Sequence, residues 1–376
     1  MTLRIIADEN ILVTPSLQRL DALLTRKSGR DIRSADLSAA DVLLVRSVTS
    51  VDSALLTDTP VRFVGSATAG VDHIDQDYLQ AQNIGFCSAP GSNANAVAEY
   101  TLATLAACDQ LNALMAGGAV GIIGYGHVGK RLSTMLRALG ACIKVSDPLE
   151  AVPNEIRASD LAEVLQLPVV TLHASLHAED PWPSRGMIDV EQLTPEVNPV
   201  LVINAARGEL ITTDALNHLL TGGTRLALDV WPEEPVIEEA LLQRVVSGTP
   251  HIAGYTWEAK AAATDALVRG IEEHFGLITR EITNQDLRGE ALRLGACHDS
   301  PEGLLKSLLL SAYDPRNDFA QLRAVAGGRA DGQAFDRLRR EYPLRRELRG
   351  RRVTWQGRME PQHLDGVFEA LGVIID

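Results

Sequence analysis

The sequence predicts an α/β protein: two Rossmann- or flavodoxin-like parallel-sheet domains flanking a cleft, followed by a C-terminal α+β domain. Three observations carry this expectation. Short β-branched or apolar runs of strand length alternate with helix-length segments up to about residue 285, the pattern of βαβ units and a parallel sheet. The alternation runs through two series, separated by the glycine pair Gly117–Gly118. Past about residue 285 the pattern changes to helices mixed with short strand-like pieces, without a glycine-rich turn after a strand.

The first series has its strands in "LRIIADEN", "VLLVRS", "RFVGSAT" and "IGFCSA". Residues 93–115, rich in alanine and leucine, read as one long helical stretch. The second series has strands in "AVGIIG", "CIKVSD", "PVVTLHAS", "PVLVINAA" and "RLALDV", with helices such as "GKRLSTMLRALG" and "TTDALNHLLTGG" between them. The stretch after Trp257, "EAKAAATDALVRGIEEHFG", is a further helix by which the chain returns to its first domain. The expected division is 1–95 with 256–285 as a substrate-binding domain, 96–255 as a nucleotide-binding domain, and 286–376 as a third domain.

Composition narrows the function. With 376 residues, 45% of them apolar, the chain has enough for two or three packed cores. The sequence has no apolar run of the ~18–20 residues a membrane span needs, and "MTLRIIADEN" lacks a signal-peptide layout. A soluble, cytoplasmic protein without membrane partners is expected. A net charge of −14 argues against nucleic acid as a partner. The four cysteines, Cys87, Cys108, Cys142 and Cys297, show no CxxC spacing and read as buried hydrophobes, not as metal ligands. The charge is uneven: residues 321–360 hold eleven arginines against five acids. That island is either a solvated or interfacial basic face or an anion site.

The most specific motif is Gly124-x-Gly126-x-x-Gly129. It follows an apolar strand, opens a helix, and precedes a strand ending in Asp147, the context of a dinucleotide-binding turn. Gly124 permits the turn, Gly126 lets a pyrophosphate approach backbone N–H groups, and Gly129 allows close helix–strand packing. The helix N-terminus, with His127 and Val128 contributing backbone groups, favours phosphate. Asp147 can accept both hydroxyls of an adenosine ribose and would repel a 2′-phosphate, so NAD is expected over NADP.

Ligands of open α/β sheets sit beyond the carboxyl ends of strands. Three such ends carry chemistry: Arg207 after "VLVINAA", Asp229 after "RLAL" with Glu233 and Glu234 close behind, and His251 in "TPHIAGY". A neutral histidine can take a proton near pH 7. A carboxylate on its other nitrogen fixes the tautomer and stabilises the imidazolium. An arginine can bind a substrate carboxylate as a fork and polarise a nascent carbonyl. His73 and His173 compete for the proton-accepting role; His73 reads as structural and His173 as bordering the cofactor. The residues alone leave Glu233 and Glu234 open.

"INAARGELITTDAL", "LALDVWPEEP" and "HIAGYTWEAK" resemble motifs of the D-isomer-specific 2-hydroxyacid dehydrogenases. "LLVRSVTSV", "VGSATAGVDHID", "APGSNANAVAEY" and the tail segments "LLLSAYDPRNDF" and "RREYPLRREL" resemble one branch of that family, so the likeness covers nearly the whole chain. The resemblance implies NAD-dependent oxidation of 4-phospho-D-erythronate to 2-oxo-3-hydroxy-4-phosphobutanoate, toward pyridoxal 5′-phosphate. It implies Arg207, Glu234 and His251 as the catalytic set, selecting Glu234 because it directly precedes Pro235. It further implies Asp229, Gly254, Ala174 and Ala206 at the cofactor, with Asp229 near the nicotinamide amide, and Ser47, Thr68 and Tyr255 at the substrate. Arg46 adds charge beside Ser47 or ties its strand end to an acid. "LHASL" departs from the family's usual histidine-threonine-proline-leucine segment, which leaves Ala174 only backbone contacts. The tail implies a homodimer through residues 286–376. For the substrate phosphate, the arginines at 337–346, Arg345 and Arg346 among them, are the expected cations. The other readings are a phosphoglycerate dehydrogenase and an NAD-sensing corepressor that shares the fold.

Overall fold

A computed structural model describes residues 2–178, 180–194, 196–277, 290–295, 300–326, 332–356 and 361–375. Cys297, the expected boundary near 285, and Arg329 and Arg358 of the basic island lie outside the described residues. The chain divides into two compact units, Met1–Asn93 with Thr256–Leu287, and Ala94–Tyr255 with Arg288–Asp376.

The first unit is a five-stranded parallel sheet of β1 (Arg4–Asp8), β2 (Leu23–Lys27), β3 (Val42–Val45), β4 (Phe63–Ser66) and β5 (Gly85–Ser88), ordered β2-β1-β3-β4-β5. The inner strands "VLLV" and "FVGS" are buried at every residue, as strands covered on both faces must be. The edge strand β2, "LLTRK", was missed in the sequence because an exposed edge need not be apolar, and this one is mostly exposed. The helix Trp257–Phe275 closes one face, placing Leu267, Val268 and Ile271 among Ile5, Val42 and Phe63.

The second unit holds a seven-stranded parallel sheet: β6 (Ala119–Ile123), β7 (Cys142–Ser146), β8 (Arg157–Ala158), β9 (Val169–Leu172), β10 (Leu201–Asn204), β11 (Arg225–Leu228) and β12 (Ser247–Gly248). The order is β12-β11-β10-β9-β6-β7-β8, so the chain reverses direction across the sheet at β6. The glycine loop therefore leaves the sheet at the topological switch point, where a crevice opens. The stretch 93–115 is two helices, Ala94–Ala107 and Leu111–Met115, not one. Asp109 adopts φ +57 between them, a left-handed turn that ends the first helix.

The tail adds β13 (Leu292–Leu294), β14 (Arg352–Trp355) and β15 (Ile374–Ile375) as a parallel sheet, with the helices Pro301–Ala312, Pro315–Ala326, Gly332–Arg340 and Asp365–Leu371. Its apolar residues join two existing cores. Leu304, Leu305, Leu308 and Phe368 pack with Leu102 and Leu105 of the helix Ala94–Ala107. Leu322 and Phe335 pack with Trp231 and Leu228 on the other side. Shared cores explain why these residues cluster with the nucleotide-binding segment in one unit. Among the described residues no helix is long and apolar enough to cross a membrane.

Candidate active site

At the end of β6 each glycine has its own steric reason. Gly124 lies at φ +95, and a Cβ there would sit 2.3 Å from the Ala174 nitrogen at the end of β9. A Cβ at Gly129 would sit 2.2 Å from the Gly124 carbonyl oxygen, against which the helix His127–Leu139 begins. A Cβ at Gly126 would meet nothing within 4 Å, so the space beyond it is open. Gly126 caps the helix without a side-chain hydrogen bond, leaving the first-turn N–H groups for an anion. His127 is exposed at the helix start and Val128 half-buried behind it. Asp147, just past β7, accepts the Tyr125 N–H on Oδ2 at 2.6 Å, and the Leu149 and Glu150 N–H groups on Oδ1. The carboxylate is thereby held beside the glycine loop, and this set fits the pyrophosphate and ribose of NAD.

The second cluster lies beyond β10, β11 and β12 of the same sheet. His251 has φ +55, a left-handed conformation for a residue with a Cβ, which costs ~1–3 kcal/mol. Asp229, 1% exposed, offsets that strain. Its Oδ1 accepts the Thr249 hydroxyl at 2.6 Å and the Ile252 N–H at 2.7 Å, and its Oδ2 accepts the Ala253 N–H at 2.9 Å. The His251 N–H donates to the Asp229 carbonyl at 2.7 Å. The inward-turned carboxylate is the anchor of the His251 loop, a role the sequence did not suggest. Gly254 and the buried Tyr255 follow directly in that loop.

The held loop presents the imidazole to Glu234. His251 Nδ1 and Glu234 Oε2 are 2.7 Å apart, with side chains 25% and 21% exposed. Glu234 Oε1 accepts the Trp231 N–H at 2.9 Å, which fixes the carboxylate in its turn. Burial pushes the Glu234 carboxyl up, but the His251 ring, the Arg339 guanidinium and the Trp231 amide outweigh it and leave the group below its ordinary value. Glu234 is therefore ionised near neutral pH and can only accept, so Nδ1–H of His251 donates to it and Nε2 is the ring nitrogen outside this contact. Arg207 caps the short helical turn Gly208–Leu210, and its guanidinium donates to the Ala206 carbonyl at 2.8 Å. Asn204 shapes this bend, donating to the Arg207 carbonyl and accepting the Ala206 N–H. It was legible only as the polar end of a strand.

The remaining residues distribute as follows. Ser47 and Arg46 follow β3 and Thr68 follows β4, all in the first unit, where Arg46 is buried. Thr68 donates to the Gly70 carbonyl and sits 2.7 Å from Ser66 Oγ, which is 2.9 Å from His73 Nε2. His73 is thus tied into a strand-end network. His173 follows β9 beside Gly124; burial holds its ring down to about 3, so it stays neutral, with Nε2 2.7 Å from Thr171 Oγ1. Tyr255 packs its ring against Tyr342 at 5.9 Å. Arg345 is half-buried. It donates to the Ala253 carbonyl and lies 4.3 Å over the Tyr313 ring. Among the described residues no three histidine, cysteine or acidic side chains gather as metal ligands, and Cys87, Cys108 and Cys142 are free thiols.

A nucleotide loop at the switch point and a histidine–carboxylate pair on the same sheet define a dehydrogenase of the 2-hydroxyacid type. Residues 104–253 match the NAD binding domain of the D-isomer specific 2-hydroxyacid dehydrogenases. Residues 288–368 match a domain family of unknown function. The fold is shared with D-lactate dehydrogenase from Aquifex aeolicus, complexed with NAD and lactic acid (TM-score 0.60, 21% identity, 73% of this chain and 96% of that one). It is likewise shared with NAD-bound 3-phosphoglycerate dehydrogenase of Entamoeba histolytica (TM-score 0.60, 22% identity, 73% and 96%). Over its length the chain is 40% identical to the erythronate-4-phosphate dehydrogenase of Marinobacter nauticus, covering 98% of both, and 41% identical to that of Hahella chejuensis, covering 92% of both. The chain belongs to the erythronate-4-phosphate dehydrogenases, and it is an NAD-dependent oxidoreductase.

Proposed function

We propose that the chain oxidises 4-phospho-D-erythronate to 2-oxo-3-hydroxy-4-phosphobutanoate, a step toward pyridoxal 5′-phosphate, with His251 as proton acceptor. The observation that carries the substrate assignment is the match along 98% of the chain, tail included, to a relative of that name. Bound NAD supplies the hydride acceptor. The proton leaves the oxygen of the C2 hydroxyl for Nε2 of His251, the nitrogen that the 2.7 Å contact with Glu234 leaves free, while the C2–H bond gives up its hydrogen as hydride. Glu234 stabilises the imidazolium as the C2 carbonyl forms. Arg207 binds the C1 carboxylate and polarises the nascent carbonyl oxygen. Gly124, Gly126, His127, Val128, Gly129, Asp147, Ala174, Ala206, Asp229 and Gly254 form the cofactor side, Asp229 by holding the loop that carries Gly254. Ser47, Thr68, Tyr255 and Arg46 are the substrate contacts. The working form is a cytoplasmic homodimer joined through residues 286–376.

Steady-state kinetics with 4-phosphoerythronate and 3-phosphoglycerate, followed at the NADH absorbance, test this reading. The four-carbon acid is expected to give the higher kcat/KM; a preference for 3-phosphoglycerate, or NAD binding with no turnover of either, overturns it.

A further inference from the structure

We propose that the tail helix Gly332–Arg340 belongs to the proton-accepting site, with Arg339 a positioning residue whose guanidinium faces the Glu234–His251 pair from inside the protein and keeps it competent as a base. The inference rests on the reading of that pair given above. Three observations carry it.

The helix begins against the turn that bears Glu234: a Cβ at Gly332 would sit 2.6 Å from Pro235 Cγ. One turn on, Phe335 is fully buried in the core that holds Trp231, the residue whose N–H fixes Glu234. Four residues further, on the same helix face, comes Arg339. The helix thus runs from the Glu234–Pro235 turn to Tyr255, in the His251 loop.

Arg339 is 7% exposed, with its Cζ 5.6 Å from the Tyr255 ring centroid and 5.8 Å from that of Phe335. Its buried Nε lacks a hydrogen-bond partner. A guanidinium is withdrawn from water only where opposite charge or π-density compensates it. Arg339 lies within electrostatic reach of Tyr255, Glu234 and Asp336, and Glu234 within reach of His251 and Arg339. A fixed cation there opposes proton uptake by the pair, which must stay unprotonated to act as a base.

The experiment is the pH profile of kcat/KM in the full-length enzyme. Arg339→Met is expected to move the acid limb to higher pH by about half a unit or more, with kcat reduced and NAD affinity retained. Arg339→Lys keeps the charge and is expected to keep the limb near its original pH. A limb that stays in place in Arg339→Met overturns the inference, whether turnover is intact or only the KM for the phosphorylated acid has risen. Should Arg339→Met fail to fold by circular dichroism, Asp336→Asn serves. Removing the anion opposite Arg339 strengthens its field on the pair, so the limb moves to lower pH, and an unmoved limb refutes the proposal. Failure of the underlying reading is distinct: there the unaltered enzyme lacks turnover, or His251→Asn retains it.

Discussion

The loop after β6 and the loop after β12 lie on one sheet but are built by opposite means. The first is made of absences. A Cβ at Gly124 would sit 2.3 Å from one backbone, a Cβ at Gly129 2.2 Å from another, and Gly126 opens onto free space. The second is made of partners distant in sequence. His251 holds a left-handed backbone because Asp229 grips the next two amides, Arg345 ties down the Ala253 carbonyl, and Glu234 takes the imidazole. A site that needs backbone amides can be written in six consecutive residues. A site that needs an aimed side chain draws on withdrawn or half-withdrawn charges up to 92 residues away.

The largest effect expected from breaking this contrast is chemical. His251→Asn should lower kcat/KM by roughly 100- to 10,000-fold while the NAD dissociation constant, read by tryptophan quenching, stays near that of the unaltered enzyme. If NAD binding fails as well, the two loops are not separable. Next come the glycines. Gly124→Ala introduces both a clash and an unfavourable φ and should cost about 2 kcal/mol or more of stability. Gly126→Ala meets nothing and should melt where the unaltered enzyme does, yet bind NAD more weakly. Equal melting losses for both would remove the steric distinction. Asp229→Asn keeps the size but weakens the hydrogen bonds to Ile252 and Ala253, at a cost of about 1–3 kcal/mol. Activity should fall further than stability, because the loop it frees carries the base.

The smallest effect concerns how the tail meets the helix Ala94–Ala107. Burial and the neighbouring Glu347 push the Glu99 carboxyl up to about 8, although it accepts the Leu348 N–H and an Asn95 amide bond. A carboxyl whose folded value is raised binds its proton more tightly when folded. Its contribution is complete below the ordinary value of 4.5 and is lost as pH rises through about 8. Glu99→Gln should flatten the fall of melting temperature across that interval; an unchanged slope would mean that Glu99 does not titrate there.

These contrasts also explain what was legible. The glycine loop, the inner strands and the histidine–carboxylate–arginine residue set follow local rules of spacing, periodicity and turn chemistry, and the family resemblance chose Glu234 over Glu233. What escaped was relational. Nothing near Asp229 says that its carboxylate turns inward. The break at Asp109 depends on one residue accepting φ +57. The arginine-rich island reads as a basic face or an anion site, yet Arg339 is buried and Arg345 half-buried, with aromatic rings 5.6 and 4.3 Å from their guanidinium carbons to receive them. Long-range partners of this kind leave no period in a sequence.

The close meeting of Gly332 with Pro235 bears on how such chains can be recombined. A crossover between the end of the nucleotide-binding segment and residue 332 that brought in any residue other than glycine at 332 would set a Cβ 2.6 Å from Pro235 Cγ. In such a chimera tail and turn would have to be exchanged together as one cassette.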